Sequence, residues 1–212
     1  MEKTTTELTN EYIKNHPHIK TCLKKGLINY SSLSRLIAKE LNIEKKTSKE
    51  AILIAARRFK EKLQKEVVSE RKVKELLAKS EIEIKNKIIV FILEKNINFD
   101  YIDKIQKSIK QEFGVFYILE GSNNYTIITQ EKYFNLIENK FKTKTIKKNK
   151  DLALINFKTT KEIEQMPGVL SYITSLFSEN GVNIIEFLSC WTDSLFIIDS
   201  KDVNKTIEFL KF

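Results

Sequence analysis

The sequence predicts an α+β protein, with an all-helical N-terminal region followed by two βαββα(β) units whose strands form antiparallel sheets. Three observations predict it. Apolar residues recur at helical spacing as far as about residue 80 and then change to runs and alternations of strand length. After that change one order of elements occurs twice, with a period of about 70 residues. The 212 residues are 42 % apolar, enough for a real core. The predicted division is 1–80, 81–150 and 151–212.

In the first region a short helix from Glu7 to Lys14 is broken at Asn15-His16-Pro17, because proline restricts the residue before it. Pro17 opens a second helix carrying Ile19, Cys22 and Leu23, which stops at Gly26. Leu33, Leu36, Ile37 and Leu41 fall on one face of a third helix that starts after Asn29. Thr47 or Ser48 caps a fourth, with Glu50 in its first turn. Ile52, Ala55, Ala56, Phe59, Leu63 and Val67 make its buried stripe. A last helical stretch runs from Lys72 to Lys79.

Beyond residue 81 the first unit reads as a strand at 87–94, a helix at 98–113 with Ile102, Ile105 and Ile109 inward, and two strands, Val115 to Glu120 and Tyr125 to Gln130. A helix with Ile137 and Phe141 and a polar stretch, Thr143 to Asn149, complete it. The second unit repeats the order with strand Leu152 to Lys158, helix Gly168 to Glu179, strands Val182 to Ser189 and Leu195 to Asp199, and a helix to Phe212. Tyr125 then matches Ser194 and Gly114-Val115 matches Gly181-Val182.

Composition excludes several classes. No apolar run approaches the ~20 residues of a membrane span, and the polar start Met1-Glu2-Lys3-Thr4 is no secretory signal. Cys22 and Cys190 offer neither zinc spacing nor a disulfide framework, which places the chain in a reducing cytoplasm. The five glycines form no phosphate-binding loop. His16 and His18 lack a carboxylate or cysteine cluster for a metal, and no nucleophile–base set exists, so no metal, cofactor or catalytic residue is assigned.

The net charge of +9 is uneven. Residues 1–80 hold 19 basic and 10 acidic side chains, and residues 81–212 hold 18 of each. Such asymmetry points to a polyanion or an acidic membrane surface as partner, although interleaved Lys and Glu also suit any solvated helix. Arg57, Arg58, Lys60 and Lys62 on the fourth helix are the candidate nucleic-acid contacts. The link from Asn42 to Thr47 is longer than a usual helix-turn-helix turn.

Ile155-Asn156-Phe157, Met166-Pro167-Gly168-Val169-Leu170-Ser171-Tyr172-Ile173 and Phe177-Ser178-Glu179-Asn180-Gly181-Val182-Asn183-Ile184 resemble the ACT domain, a ferredoxin-like βαββαβ fold. The stretch from Ser189 to Ile198 is similar to the hairpin of aspartokinase ACT domains. In the first unit Asn98-Phe99-Asp100 stands where the family has Pro-Gly, and the case rests on element order. The whole layout resembles prokaryotic proteins described as predicted ACT-containing regulators of amino-acid metabolism.

That resemblance implies a regulator, not an enzyme, that binds an amino acid or related small metabolite at an interface between ACT units. The loop after the first strand and the start of the second strand would line the site. This selects Pro167, Gly168, Val169, Leu170, Asn183 and Ile184. The chemistry agrees, since a glycine-led helix start offers free N–H groups to a carboxylate and asparagine offers donors and acceptors. The basic helices would pass the signal to DNA, or the chain would serve as a regulatory or scaffolding subunit of a metabolic enzyme. With a helix at its end, the second unit lacks the family's fourth strand. Thr143 to Asn149 or another subunit is expected to supply it, in a homodimer.

Overall fold

The structure, a computed structural model, describes residues 3–64 and 70–212. Val67, expected on a buried stripe, lies outside them. The chain divides into two compact units, Met1–Val67 and Val68–Phe212.

The first unit contains α1 (Thr5–Asn15), α2 (Pro17–Lys25), α3 (Tyr30–Glu40) and α4 (Lys49–Gln64). Their ends follow local chemistry. Thr4 and Glu7 form a reciprocal capping box on α1. Pro17 opens α2, and Gly26 closes it at φ 74°, a left-handed position suited to glycine. The Asn29 side chain accepts from the Ser32 N–H, and Ser48 Oγ accepts from the Ala51 N–H. Ile13, Leu23, Leu33, Ile37, Ile52, Ala56, Phe59 and Leu63 make the shared core. Leu36, expected inward, is exposed, and Ala38 takes the inward place.

The second unit contains α5 (Glu70–Leu77), β1 (Glu81–Glu94), α6 (Phe99–Gln111), β2 (Phe116–Glu120), β3 (Asn124–Gln130), α7 (Phe134–Phe141), β4 (Thr145–Lys158), α8 (Val169–Glu179), β5 (Glu186–Cys190), β6 (Asp193–Asp199) and α9 (Val203–Phe209). The helix expected at 72–79 belongs here, not to a domain ending at residue 80. Val73, Leu76 and Leu77 of α5 are buried against Ala153, Ile155 and Phe157 of β4 and Phe196 of β6. Its apolar face packs on the sheet, as an amphipathic helix requires.

All strand pairs are antiparallel, in the order β2-β3-β1-β4-β6-β5. The fold class is the expected one, tandem ACT-like ferredoxin-like repeats, but the repeats are interlocked. β1 and β4 are each 14 residues long and run through both. The first repeat takes the second half of β1 and the first half of β4. The second takes the remaining halves.

The missing fourth strand of the second repeat is therefore Glu81–Lys85, which pairs with Leu154–Lys158. Neither Thr143–Asn149 nor another subunit supplies it. Thr145–Asn149 instead closes the first repeat by pairing with β1. The alternation at Ile82 and Ile84 explains the choice, because both side chains land on the core beneath α5, α8 and α9.

Lys87 and Asp151, each at φ 56°, flank the central pair Ile88 and Leu152. Register slips there, and the sheet bends. Ile89, Phe91 and Leu93 pack under α6 and α7, while Ala153, Ile155 and Phe157 pack under α5, α8 and α9. A further core contains strand and loop residues only: Ile88, Val90, Val115, Ile128, Leu152, Leu154, Leu195 and Ile197. Tyr117 and Leu119 from β2 and Leu188 from β5 also pack on it, although these strands end the ladder on opposite sides. The sheet thus folds over on itself, giving the layers helix, sheet, sheet, helix. At ~1.5–3 kcal/mol per buried aliphatic side chain, this inner core is a major stabilising term.

Candidate ligand-binding site

A notch of about 400 Å³ opens where the loop after β4 enters α8. Ile163, Glu164, Met166, Gly168, Val169 and Leu170 line one side, and Phe187, Ser189, Trp191 and Ser194 line the other. The hairpin tip is held over the loop by the Thr159 N–H and hydroxyl, both of which donate to the Thr192 carbonyl at 2.8 Å. Trp191, at the tip, has φ 50° and is largely exposed.

Gly168 is the N-cap of α8 at φ 94°, and a Cβ there would meet nothing within 4 Å. No side chain caps this helix. Its first-turn N–H groups have no intrahelical acceptor and carry the positive end of the helix dipole. The lining holds no Lys or Arg. Anion recognition there would fall to backbone N–H groups and to the hydroxyls of Ser189 and Ser194, with Glu164 the only carboxylate.

The first repeat has the same notch, and it is full. Strand register equates Glu120 with Ser189 and Tyr125 with Ser194, and the helix caps equate Asn98 with Gly168. Asn98 Oδ1 accepts from the Asp100 N–H at 2.9 Å and so occupies the helix start. Tyr125 packs edge-on to Phe99 at 5.0 Å, Lys95 lies 4.5 Å over its ring, and Lys95 also pairs with Glu120.

Of the six residues selected from sequence, Gly168, Val169 and Leu170 reach the notch. Val169 is also anchored in the core, and Leu170 is exposed. Pro167 is exposed beside it and outside its lining. Asn183 and Ile184 are likewise outside the lining. The strand expected from Val182 starts at Glu186, because the C-terminal cap of α8 takes up the backbone as far as Val182 and Asn183 to Ile185 link it to β5. Gly181 is left-handed at φ 63°, and the Val182 N–H donates to the Phe177 carbonyl. Asn183 is exposed in that loop, and Ile184 packs on the helix-side core. Sequence reasoning did not select Ser189, Ser194, Phe187 or Trp191. The repeat alignment of Tyr125 with Ser194 was the available signal.

In the helical unit, Arg57, Arg58 and Lys62 are exposed on α4, and Arg57 lies 5.3 Å over the Tyr30 ring. Lys60 points elsewhere. A Cβ on Gly26 would come within 3.2 Å of its ammonium, which therefore sits at the C-terminal end of α2, where the dipole favours a cation. His16 stacks on Tyr12 at 4.0 Å and bonds the Tyr12 carbonyl through Nδ1. Among the described residues no cluster of His, Cys, Asp or Glu could hold a metal, and no helix is long and apolar enough to cross a membrane.

No family model matches the chain, and no curated protein does. Solved structures do. The aspartate kinase of Clostridium acetobutylicum, an allosteric enzyme, matches with a TM-score of 0.51 at 17 % identity, over 61 % of this chain and 33 % of that one. The regulatory subunit of aspartate kinase from Thermus thermophilus matches with a TM-score of 0.49 at 10 % identity, over 62 % of this chain and 94 % of that one. This chain thus spans about a third of the Clostridium enzyme, and at 17 % identity what the two share is the fold.

Proposed function

We propose that this protein is a regulator of amino-acid metabolism that binds an amino acid or a similar small metabolite in the notch at the start of α8. One observation carries the reading. Of two equivalent notches in a duplicated fold, one is filled by Asn98, Glu120 and Tyr125, and the other is left open by Gly168, Ser189 and Ser194. Three smaller residues at three matched positions leave room for a ligand at an uncapped helix start. An α-carboxylate suits the free N–H groups there. Gly168, Val169 and Leu170 form the cradle and Pro167 lies beside it, whereas Asn183 and Ile184, beyond the far end of α8, take no part in it.

The ligand acts by shifting the population of two states of the second unit. The output runs through the basic helical unit, with Arg57, Arg58 and Lys62 exposed for a DNA backbone in a cytoplasmic homodimer. A second reading, a regulatory or scaffolding subunit that binds a metabolic enzyme, draws on the fold shared with part of an allosteric kinase chain. Co-purification with such an enzyme and no DNA affinity at low salt would select it.

The test of ligand binding is a thermal-shift panel of amino acids. One member is expected to raise Tm in proportion to the logarithm of its excess over Kd. A flat panel at millimolar concentrations sinks the reading.

A further inference from the structure

The lining of the notch also sets the side chain its ligand can carry. Strand register places Leu93 opposite Tyr125 and Phe157 opposite Ser194, so Lys95 of the first repeat stands where the second has Thr159. The Lys95–Glu120 ion pair beside the filled notch is thereby replaced by Thr159 and Ser189, both uncharged. Ile163, Met166, Leu170, Phe187 and Trp191 supply apolar surface to the open notch, and Glu164 is the one charged side chain in its lining. Ser194 is only 4 % exposed, lines the notch and makes no hydrogen bond among the described residues. Its counterpart Tyr125 reaches Glu120 with its own hydroxyl at 3.3 Å. A buried hydroxyl without a partner is costly, and a polar group of a ligand beside it removes that cost.

We propose that the notch selects an α-amino acid with a large, uncharged apolar side chain, of the leucine or phenylalanine kind. The inference rests on the ligand-binding role proposed for the notch and narrows it. The main-chain groups of such a ligand use up the polar groups of the lining. Its carboxylate takes the free N–H groups at the start of α8 and a serine hydroxyl, and its ammonium takes Glu164. A second carboxylate, as in aspartate, would meet no cation in the lining and would be repelled by Glu164. A second ammonium, as in lysine, would compete for the same single carboxylate. Either charge would lose water without a compensating partner. An apolar side chain instead meets apolar walls. The first repeat shows that the space admits one, since the Tyr125 ring fills it there, edge-on to Phe99 at 5.0 Å.

Trp191 is the sole tryptophan of the chain and lines the notch, so its emission reports occupancy at this place. The full chain is titrated with leucine, phenylalanine, aspartate, lysine and glycine while that emission is read, with Tm measured alongside. Leucine or phenylalanine is expected to bind at least ~10-fold more tightly than the other three. Leu170→Lys puts a cation at an exposed position of the lining. It should lower the ratio of leucine to aspartate affinity at least ~10-fold, with unchanged circular dichroism. Tighter binding of aspartate, lysine or glycine, or equal binding of all five, overturns the selectivity and leaves the notch a ligand site. A ratio that Leu170→Lys does not move overturns it too. No response of Trp191 to any of the five, with or without a change in Tm, takes the ligand out of the notch and overturns both proposals.

Discussion

Tyr125 and Ser194 occupy one position in two copies of the same hairpin. Tyr125 lies opposite Leu93 of β1 and Glu120 of β2, and Ser194 lies opposite Phe157 of β4 and Ser189 of β5. One is a plug and the other leaves a gap. Ser194→Tyr should therefore close the open notch with a ring that the fold already accommodates once. Any ligand-induced rise in Tm should vanish, while the unliganded Tm moves by only a few degrees, since ~1 kcal/mol corresponds to ~2–4 °C at this chain length. A retained ligand shift would place the ligand elsewhere.

Much of the helical unit was legible because helix ends are local chemistry. Pro17, Gly26, Asn29 and Ser48 do what their side chains dictate wherever they are placed. The duplication was legible too, as spacing. The route of β1 was not. Whether Glu81–Lys85 joins Leu154–Lys158 is settled between segments about 70 residues apart, and no local propensity encodes it. The open notch was hidden for a related reason, because it is defined by what Ser189 and Ser194 fail to fill. Only a comparison with the other repeat shows that.

The repeats also differ where their first helices end. Phe113 follows α6 and Gly181 follows α8, both left-handed, at φ 54° and 63°. Glycine bears that geometry at no steric cost, whereas an L side chain loses roughly 1–2 kcal/mol. Phe113 is 99 % exposed, so little packing offsets the strain. Phe113→Gly should raise stability by about 1 kcal/mol, read as a higher urea midpoint with unchanged slope. Gly114→Ala, one residue on, should destabilise, because its Cβ would come within 2.5 Å of the Tyr133 hydroxyl oxygen.

Alkaline pH should weaken the helical unit through Tyr12. Burial, then its hydrogen bond to Glu40 at 2.7 Å, pushes the phenol up to about 12. The folded state thus keeps a proton that the unfolded chain releases near pH 10. The resulting stability is fully present below pH 10 and is lost as pH rises through about 12. Tyr12→Phe should cost about 1 kcal/mol at pH 8, and that difference should shrink as pH approaches 12. Urea titrations at pH 8, 10 and 11 test it, and a pH-independent difference would contradict the assignment.

Asn156 is a buried amide on the inner face of the sheet. It is 6 % exposed, its Nδ2 donates to Asp193 Oδ1 at 2.8 Å, and its Oδ1 has no partner. The matching position in the other repeat is Ile92, opposite Thr126 where Asn156 is opposite Leu195. A buried acceptor without a donor costs ~1–3 kcal/mol, and a hydrogen bond to a charged group returns a similar amount. The two nearly cancel. Asn156→Ile removes both and adds apolar contact with Leu154 and Leu195, which face the same core. Stability should stay within about 1 kcal/mol of wild type. A loss above ~3 kcal/mol would mean that in solution Oδ1 accepts a hydrogen bond from a bound water, so that the amide fixes the hairpin tip that Thr159 also holds.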